Sequence, residues 1–134
     1  MKIAIVKLSS LGDIVHSMVV LQFVKKHCPD VEIDWIVEKR FQSVLENNPH
    51  INQIHTVNLN AVKKQKSLKL LFKELIQVKK YGKYDVVIDL QGLIKSAIVI
   101  KFINSRKIVG FDEHSVRERL ASYIYNQKVA IGYD

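Results

Sequence analysis

"YDVVIDLQGLIKS", residues 84–96, passes from an apolar, β-branched run into a glycine-bearing loop and then into a helical pattern. A short apolar run bounded by turn signals reads as a buried strand. The same grammar opens the chain. "KIAIVKL" (2–8) is a strand, "SSLGD" (9–13) a loop, and "DIVHSMVVLQFVKKH" (13–27) a helix that ends before Pro29. Between these two units lie a strand "EIDWIVE" (32–38), a short helix around 40–47 that stops before Pro49, and a weaker strand "QIHTVNL" (53–59). A lysine-rich helix of about 66–81 follows and is closed by Gly82. Beyond residue 92 the pattern predicts a helix over 93–103, a strand "KIVGF" (107–111), a helix near 116–125 and a last strand around 127–131.

Strands that alternate with helices indicate the α/β class: a Rossmann-like open parallel sheet with helices on both faces and right-handed crossovers. With strands side by side in the order 3-2-1-4-5, the first and fourth are neighbours where the winding reverses. Ligands of such sheets sit there, beyond the carboxyl ends of the strands. The loops that meet at this crevice are "SSLGD" and "DLQGLIKS".

Each loop opens a helix and so presents backbone N–H groups suited to phosphate or carboxylate, and Gly12 and Gly92 let the backbone approach a ligand. Neither loop carries the G-x-G-x-x-G spacing of a dinucleotide site or the Gly-Lys pair of a P-loop, so NAD and P-loop ATP chemistry are not expected. Asp13 has two readings. As a helix N-cap it would contribute about 1 kcal/mol, and its position alone favours that role. As an ionised carboxylate at the crevice it could instead accept a proton from a reacting hydroxyl late in the reaction. Lys95 is a candidate anion ligand, Asp89 a structural hydrogen-bond acceptor, and Ser9 and Ser10 loop hydrogen-bonding groups. His16, His27, His50, His55 and His114 show no metal-ligand spacing, and no metal is expected.

The 134 residues amount to about one domain, 48% hydrophobic and 25% charged, without repeats or low-complexity tracts. Lys7 interrupts the first apolar run and no small-residue cleavage site follows, so no signal peptide is expected. No run is long enough for a bilayer-spanning helix. The single cysteine, Cys28, permits no internal disulfide, which fits a reducing compartment.

Residues 60–83 hold eight lysines and one glutamate, a net +7 that leaves +1 of the total +8 for the rest of the chain. Leu68, Leu71, Phe72 and Leu75 recur at helical spacing as an apolar stripe expected to pack into the core. The lysines, Lys66, Lys69, Lys73 and Lys80 among them, lie on another face, which is either simply solvated or a footprint for an anionic partner. No aromatics alternate with them as a base-stacking platform requires, so a lipid surface ranks above nucleic acid.

The segments "MKIAIVKLSSLGDIVHSMVVLQ", "EIDWIVEKRF", "YDVVIDLQGLIKSA" and "VRERLASYIYNQK" resemble, in this order, the N-terminal half of the lipopolysaccharide heptosyltransferases. The patterns K-x-S-S-x-G-D-x-x-H and D-x-Q-G-L-x-K-S are similar to type I and differ from type II in the first loop. The resemblance implies a GT-B glycosyltransferase with two Rossmann-like domains, residues 1–134 being the N-terminal, acceptor-binding one. A C-terminal domain that binds most of the ADP-heptose donor would be absent from this chain, which alone is expected to turn over little or nothing. The implied reaction moves L-glycero-D-manno-heptose to the Kdo of Kdo-lipid A with inversion and without a cofactor.

By the same resemblance Asp13 is the general base, and Ser9, Ser10, Leu11 and Gly12 line the site near the transferred sugar. Lys95 and Arg117 are assigned to the anionic acceptor. The family often has proline where Arg119 stands, which argues against an acceptor role for Arg119 itself. Lys63, Lys64, Lys66, Lys69 and Lys73 would face the anionic surface of the inner membrane from its cytoplasmic side, each worth about 1 kcal/mol near such a surface. No specific nucleic acid is expected. The alternative is a non-catalytic Rossmann-like module that binds anionic lipid or nucleotide.

Overall fold

The computed structural model describes residues 1–91 and 94–110. Five strands, β1 (Lys2–Val6), β2 (Glu32–Glu38), β3 (Gln53–Val57), β4 (Lys83–Asp89) and β5 (Asn104–Gly110), form one sheet in the order β3-β2-β1-β4-β5. Every pairing is parallel. This is the order expected from the alternation, and β1 and β4 are neighbours over Ile3–Val6 and Val86–Asp89.

A strand buried on both faces sends alternate side chains into two different cores. Ile3 and Ile5 of β1 join Ile33, Trp35, Val37, Val86 and Ile88 in a cluster completed by Ile14, Val20, Leu21 and Val24. Ala4 and Val6 point the other way, to Ile36, Val87, Val78, Val99 and Ile100. The first cluster lies under helices α1 (Leu11–Ser17) and α2 (Val19–His27), together with a 3-10 helix at Lys39–Leu45. The second lies under α4 (Leu68–Lys79) and α5 (Ile94–Lys101). Helix α3 (Leu59–Gln65) precedes α4, and its Leu59 is partly buried against this second core.

The structure corrects the sequence reading at several elements. The helix expected over 13–27 begins at Leu11 and is two helices, broken at Met18. The Ser17 hydroxyl donates to the Asp13 carbonyl at 2.8 Å, and the Met18 N–H turns to the Val15 carbonyl at 3.2 Å. Such back-bonding competes with the regular ladder and bends a helix. The single lysine-rich helix is also two. Lys66 adopts a left-handed conformation (φ 49°), and the Ser67 hydroxyl caps a new helix by accepting from Leu70 N–H at 3.1 Å. Lys63 and Lys64 therefore lie on α3, Lys66 in the link, and Lys69 and Lys73 on α4.

The expected core stripe splits as well. Leu75 is buried and Leu71 half-buried, whereas Leu68 is 82% and Phe72 66% exposed. A stripe that spans both (i, i+3) and (i, i+4) neighbours is wider than the sheet can cover, and its outer edge is left in solvent. Gly82 closes this region at φ +127°, which favours glycine, and an added Cβ would lie 3.0 Å from the Lys2 ammonium. The helix expected near 116–125 and the strand at 127–131 lie outside the described residues.

Candidate active site

The carboxyl ends of β1 and β4 face one crevice, and the contacts across it come chiefly from Gln91. Its side-chain oxygen accepts from Leu8 N–H at 3.0 Å and Ser9 N–H at 3.3 Å, and its amide nitrogen lies 3.4 Å from the Ser9 hydroxyl. Gln91 is held in turn by its own N–H, which donates to Asp89 Oδ1 at 3.0 Å. That bond gives Asp89 the acceptor role read from the sequence. The Lys7 ammonium adds a second tie, donating to the Leu90 carbonyl at 3.2 Å. Trp35, fully buried, donates its indole N–H to the Lys7 carbonyl at 3.1 Å and fastens the loop to β2.

On this platform Ser10 is the N-cap of α1, and Asp13 is the third helical residue. Asp13 is thus not the N-cap. Its carboxylate reaches back instead, with Oδ2 accepting from Ser10 N–H at 3.3 Å and from the Ser10 hydroxyl at 3.1 Å. This is the carboxylate half of a capping box, with aspartate at the position that glutamate or glutamine usually takes. The bonds from Ser10, backbone first and hydroxyl second, lower the Asp13 pKa below its ordinary 3.8, and the nearby Lys7 charge adds to the effect. Asp13 is exposed and anionic at neutral pH.

Ser10, Leu11 and Gly12 are exposed beside it, and Ser9 is half-buried. An added Cβ on Gly12 would meet nothing within 4 Å, so internal packing does not require glycine at this position. Lys95 takes the second position of α5. Arg117 and Arg119 lie outside the described residues. The structure brings Ser9, Ser10, Leu11, Gly12 and Asp13 together at the crevice. Lys63, Lys64, Lys66, Lys69 and Lys73 are exposed on or between α3 and α4. Among the described residues no three His, Cys, Asp or Glu side chains are grouped to hold a metal ion.

Gln91 is the residue that the sequence reading missed. Its signal was present, since a polar side chain directly after strand "YDVVIDL" stands at the same sheet edge as "SSLGD" once β1 and β4 are taken as neighbours. A second omission lies away from the crevice. Asp34 on β2, 0% exposed, accepts from Tyr84 hydroxyl at 2.6 Å and Asn52 amide at 3.3 Å, and its Oδ2 lies 3.2 Å from His55 Nε2. Burial is the strongest single influence on its carboxyl and acts upward. The bonds from His55, Tyr84 and Asn52 together outweigh it, so the pKa lies below 3.8.

The comparisons with known proteins agree with this fold. A family model described as "Glycosyltransferase family 9 (heptosyltransferase)" matches residues 71–134. Lipopolysaccharide heptosyltransferase 1 of Campylobacter coli is 46% identical over 134 residues, which are 100% of this chain and 37% of that protein. The chain is similar to the heptosyltransferases along its whole length. The heptosyltransferase 1 of Escherichia coli K12 is 32% identical over 96% of this chain and 41% of its own length. The solved structure of the E. coli heptosyltransferase WaaC with ADP superposes with a TM-score of 0.72 at 31% identity, covering 94% of this chain and 40% of that one. The same enzyme with ADP-2-deoxy-2-fluoro heptose gives 0.73. The chain spans about two-fifths of the length of the curated relatives that it matches. Among its described residues no helix is long and apolar enough to cross a membrane.

Proposed function

We propose that residues 1–134 are the N-terminal, acceptor-binding domain of an inverting heptosyltransferase of type I. It works with ADP-heptose as donor and Kdo-lipid A as acceptor, on the cytoplasmic face of the inner membrane. The observation that carries this reading is Asp13: an exposed, ionised carboxylate fixed by Ser10 at the crevice between β1 and β4.

In the proposed step a hydroxyl of Kdo donates its proton to Asp13 as its oxygen bonds to the anomeric carbon of the heptose. The bond from that carbon to the diphosphate breaks on the opposite face, and ADP leaves with the electron pair. The lowered pKa makes Asp13 a weak base, which suits proton transfer late in the step, when the attacking oxygen has become acidic. Ser9, Ser10, Leu11 and Gly12 line the approach to the sugar, Lys95 and Arg117 hold acidic groups of the acceptor, and Lys63, Lys64, Lys66, Lys69 and Lys73 face the anionic membrane.

The test replaces Asp13 by Asn and by Ala in a protein that carries both domains. Loss of a proton acceptor is expected to lower kcat by about 100-fold or more, with little change in affinity for either substrate. Near-normal transfer would make Asp13 a helix cap only. Binding of anionic lipid without any transfer by the unaltered protein would favour the non-catalytic module.

A further inference from the structure

Helix α4 carries two apolar faces, and one of them meets the sheet. Leu75 and Val78 are buried and Leu71 half-buried. Leu68, Phe72 and Ile76, spaced i, i+4 and i+8, form a second ridge with exposures of 82%, 66% and 45%. Lys69, Lys73 and Lys80 are exposed beside it, and all three line one open groove with Phe72 and Ile76. Three large apolar side chains in a row mark a surface that meets a partner.

The charge beside the ridge selects that partner. Glu74, the one acid within residues 60–83, is turned away and accepts from Asn58 N–H at 3.2 Å. A nucleic acid would engage the lysines and gain nothing from Leu68, Phe72 or Ile76. A bilayer with anionic lipid engages both, with ammonium groups at the headgroups and the apolar ridge at the acyl boundary. Direction agrees as well. Helix α4 ends just before β4 begins, at the sheet edge opposite Asp13, so its first residues, about 18 Å back along the helix, lie towards the edge that carries Asp13. Its most exposed apolar residue, Leu68, is at that end.

We propose that α4 is an interfacial helix: Leu68, Phe72 and Ile76 insert into the surface of an anionic bilayer while Lys66, Lys69, Lys73 and Lys80 stay among the headgroups. This rests on the reading above that the lysine-rich segment faces a membrane, and it adds insertion to electrostatic attraction. The ridge thereby fixes the domain's orientation and turns the Asp13 edge towards a lipid acceptor anchored in the same bilayer.

The experiment measures partition of the full-length protein onto vesicles of phosphatidylcholine mixed with phosphatidylglycerol. It compares the unaltered chain with a serine variant (Leu68→Ser, Phe72→Ser, Ile76→Ser) and a charge variant (Lys66→Glu, Lys69→Glu, Lys73→Glu). Near-UV circular dichroism confirms the fold of each. The serine variant is expected to bind at least about tenfold more weakly at any salt concentration, and the charge variant to lose binding mainly at low salt. In a Phe72→Trp variant, lipids brominated on their acyl chains quench the new indole and leave buried Trp35 unaffected. Unchanged partition of the serine variant, with binding lost in the charge variant, would overturn insertion and leave the electrostatic reading standing. No binding by the unaltered protein would overturn both. Dispersal of a soluble oligomer by the serine variant, with vesicle binding intact, would make the ridge a protein interface and also overturn insertion.

Discussion

Gly12 and Gln91 separate what the site needs from what the fold needs. A methyl group on Gly12 meets open space and the residue lies within α1, so Gly12→Ala is expected to leave stability unchanged or raise it by up to about 1 kcal/mol. If Gly12 lets the backbone approach a ligand, the same substitution lowers transfer at least about tenfold. Thermal melting beside a transfer assay would show the two effects diverging, and a parallel change would make Gly12 merely structural. Gln91 behaves differently. Gln91→Ala leaves the Leu8 and Ser9 N–H groups without their acceptor and is expected to cost about 1–2 kcal/mol of stability. Because those groups carry the loop that presents Asp13, kcat should fall while KM for the donor stays close to normal. Rescue by Gln91→Glu, which restores an acceptor oxygen, would confirm that the side chain positions the loop.

At the scale of elements, the break between α3 and α4 decides how the lysines are displayed. One continuous helix would have put Lys66 in a single row with Lys69, Lys73 and Lys80. The left-handed Lys66 and the cap at Ser67 instead start α4 afresh, with its own unpaired N–H groups. Ser67→Ala removes the bond to Leu70 N–H and is expected to destabilise the chain by about 1 kcal/mol, measured by urea unfolding. Hydrogen exchange should localise the loss to the first turn of α4. Uniform exchange across the chain would show that the cap is not a local device.

At the scale of the whole molecule, Asp34 ties β2 to Asn52 and His55 of the β3 region and to Tyr84 of β4, across the breadth of the sheet. Removing a buried acceptor with three partners, Tyr84 among them buried, is expected to cost about 2–3 kcal/mol in Asp34→Ala. The pH dependence follows from the sign of the shift. A carboxyl whose folded pKa lies below 3.8 adds stability that is complete above that value and is lost as pH falls through the folded pKa. Urea midpoints of the parent and of Asp34→Asn should therefore differ most near neutral pH and converge as the pH falls through the folded pKa, which lies below 3.8. A constant gap would assign the effect to packing.

Periodicity was enough to read the five strands among the described residues, and a Rossmann-like order for them placed the crevice, because a doubly wound sheet leaves its alternating buried runs plainly in the sequence. The position of Asp13 beside that crevice was legible for the same reason. The Ser10 cap, the bridge from Gln91, the Asp34 network and the exposed ridge of α4 were not. Each depends on where a side chain ends up after strands distant in sequence have come together, and on how much of a helix one sheet face can cover. Local pattern fixed which residues form elements; packing alone decided which of their polar groups meet and which apolar ones stay in water.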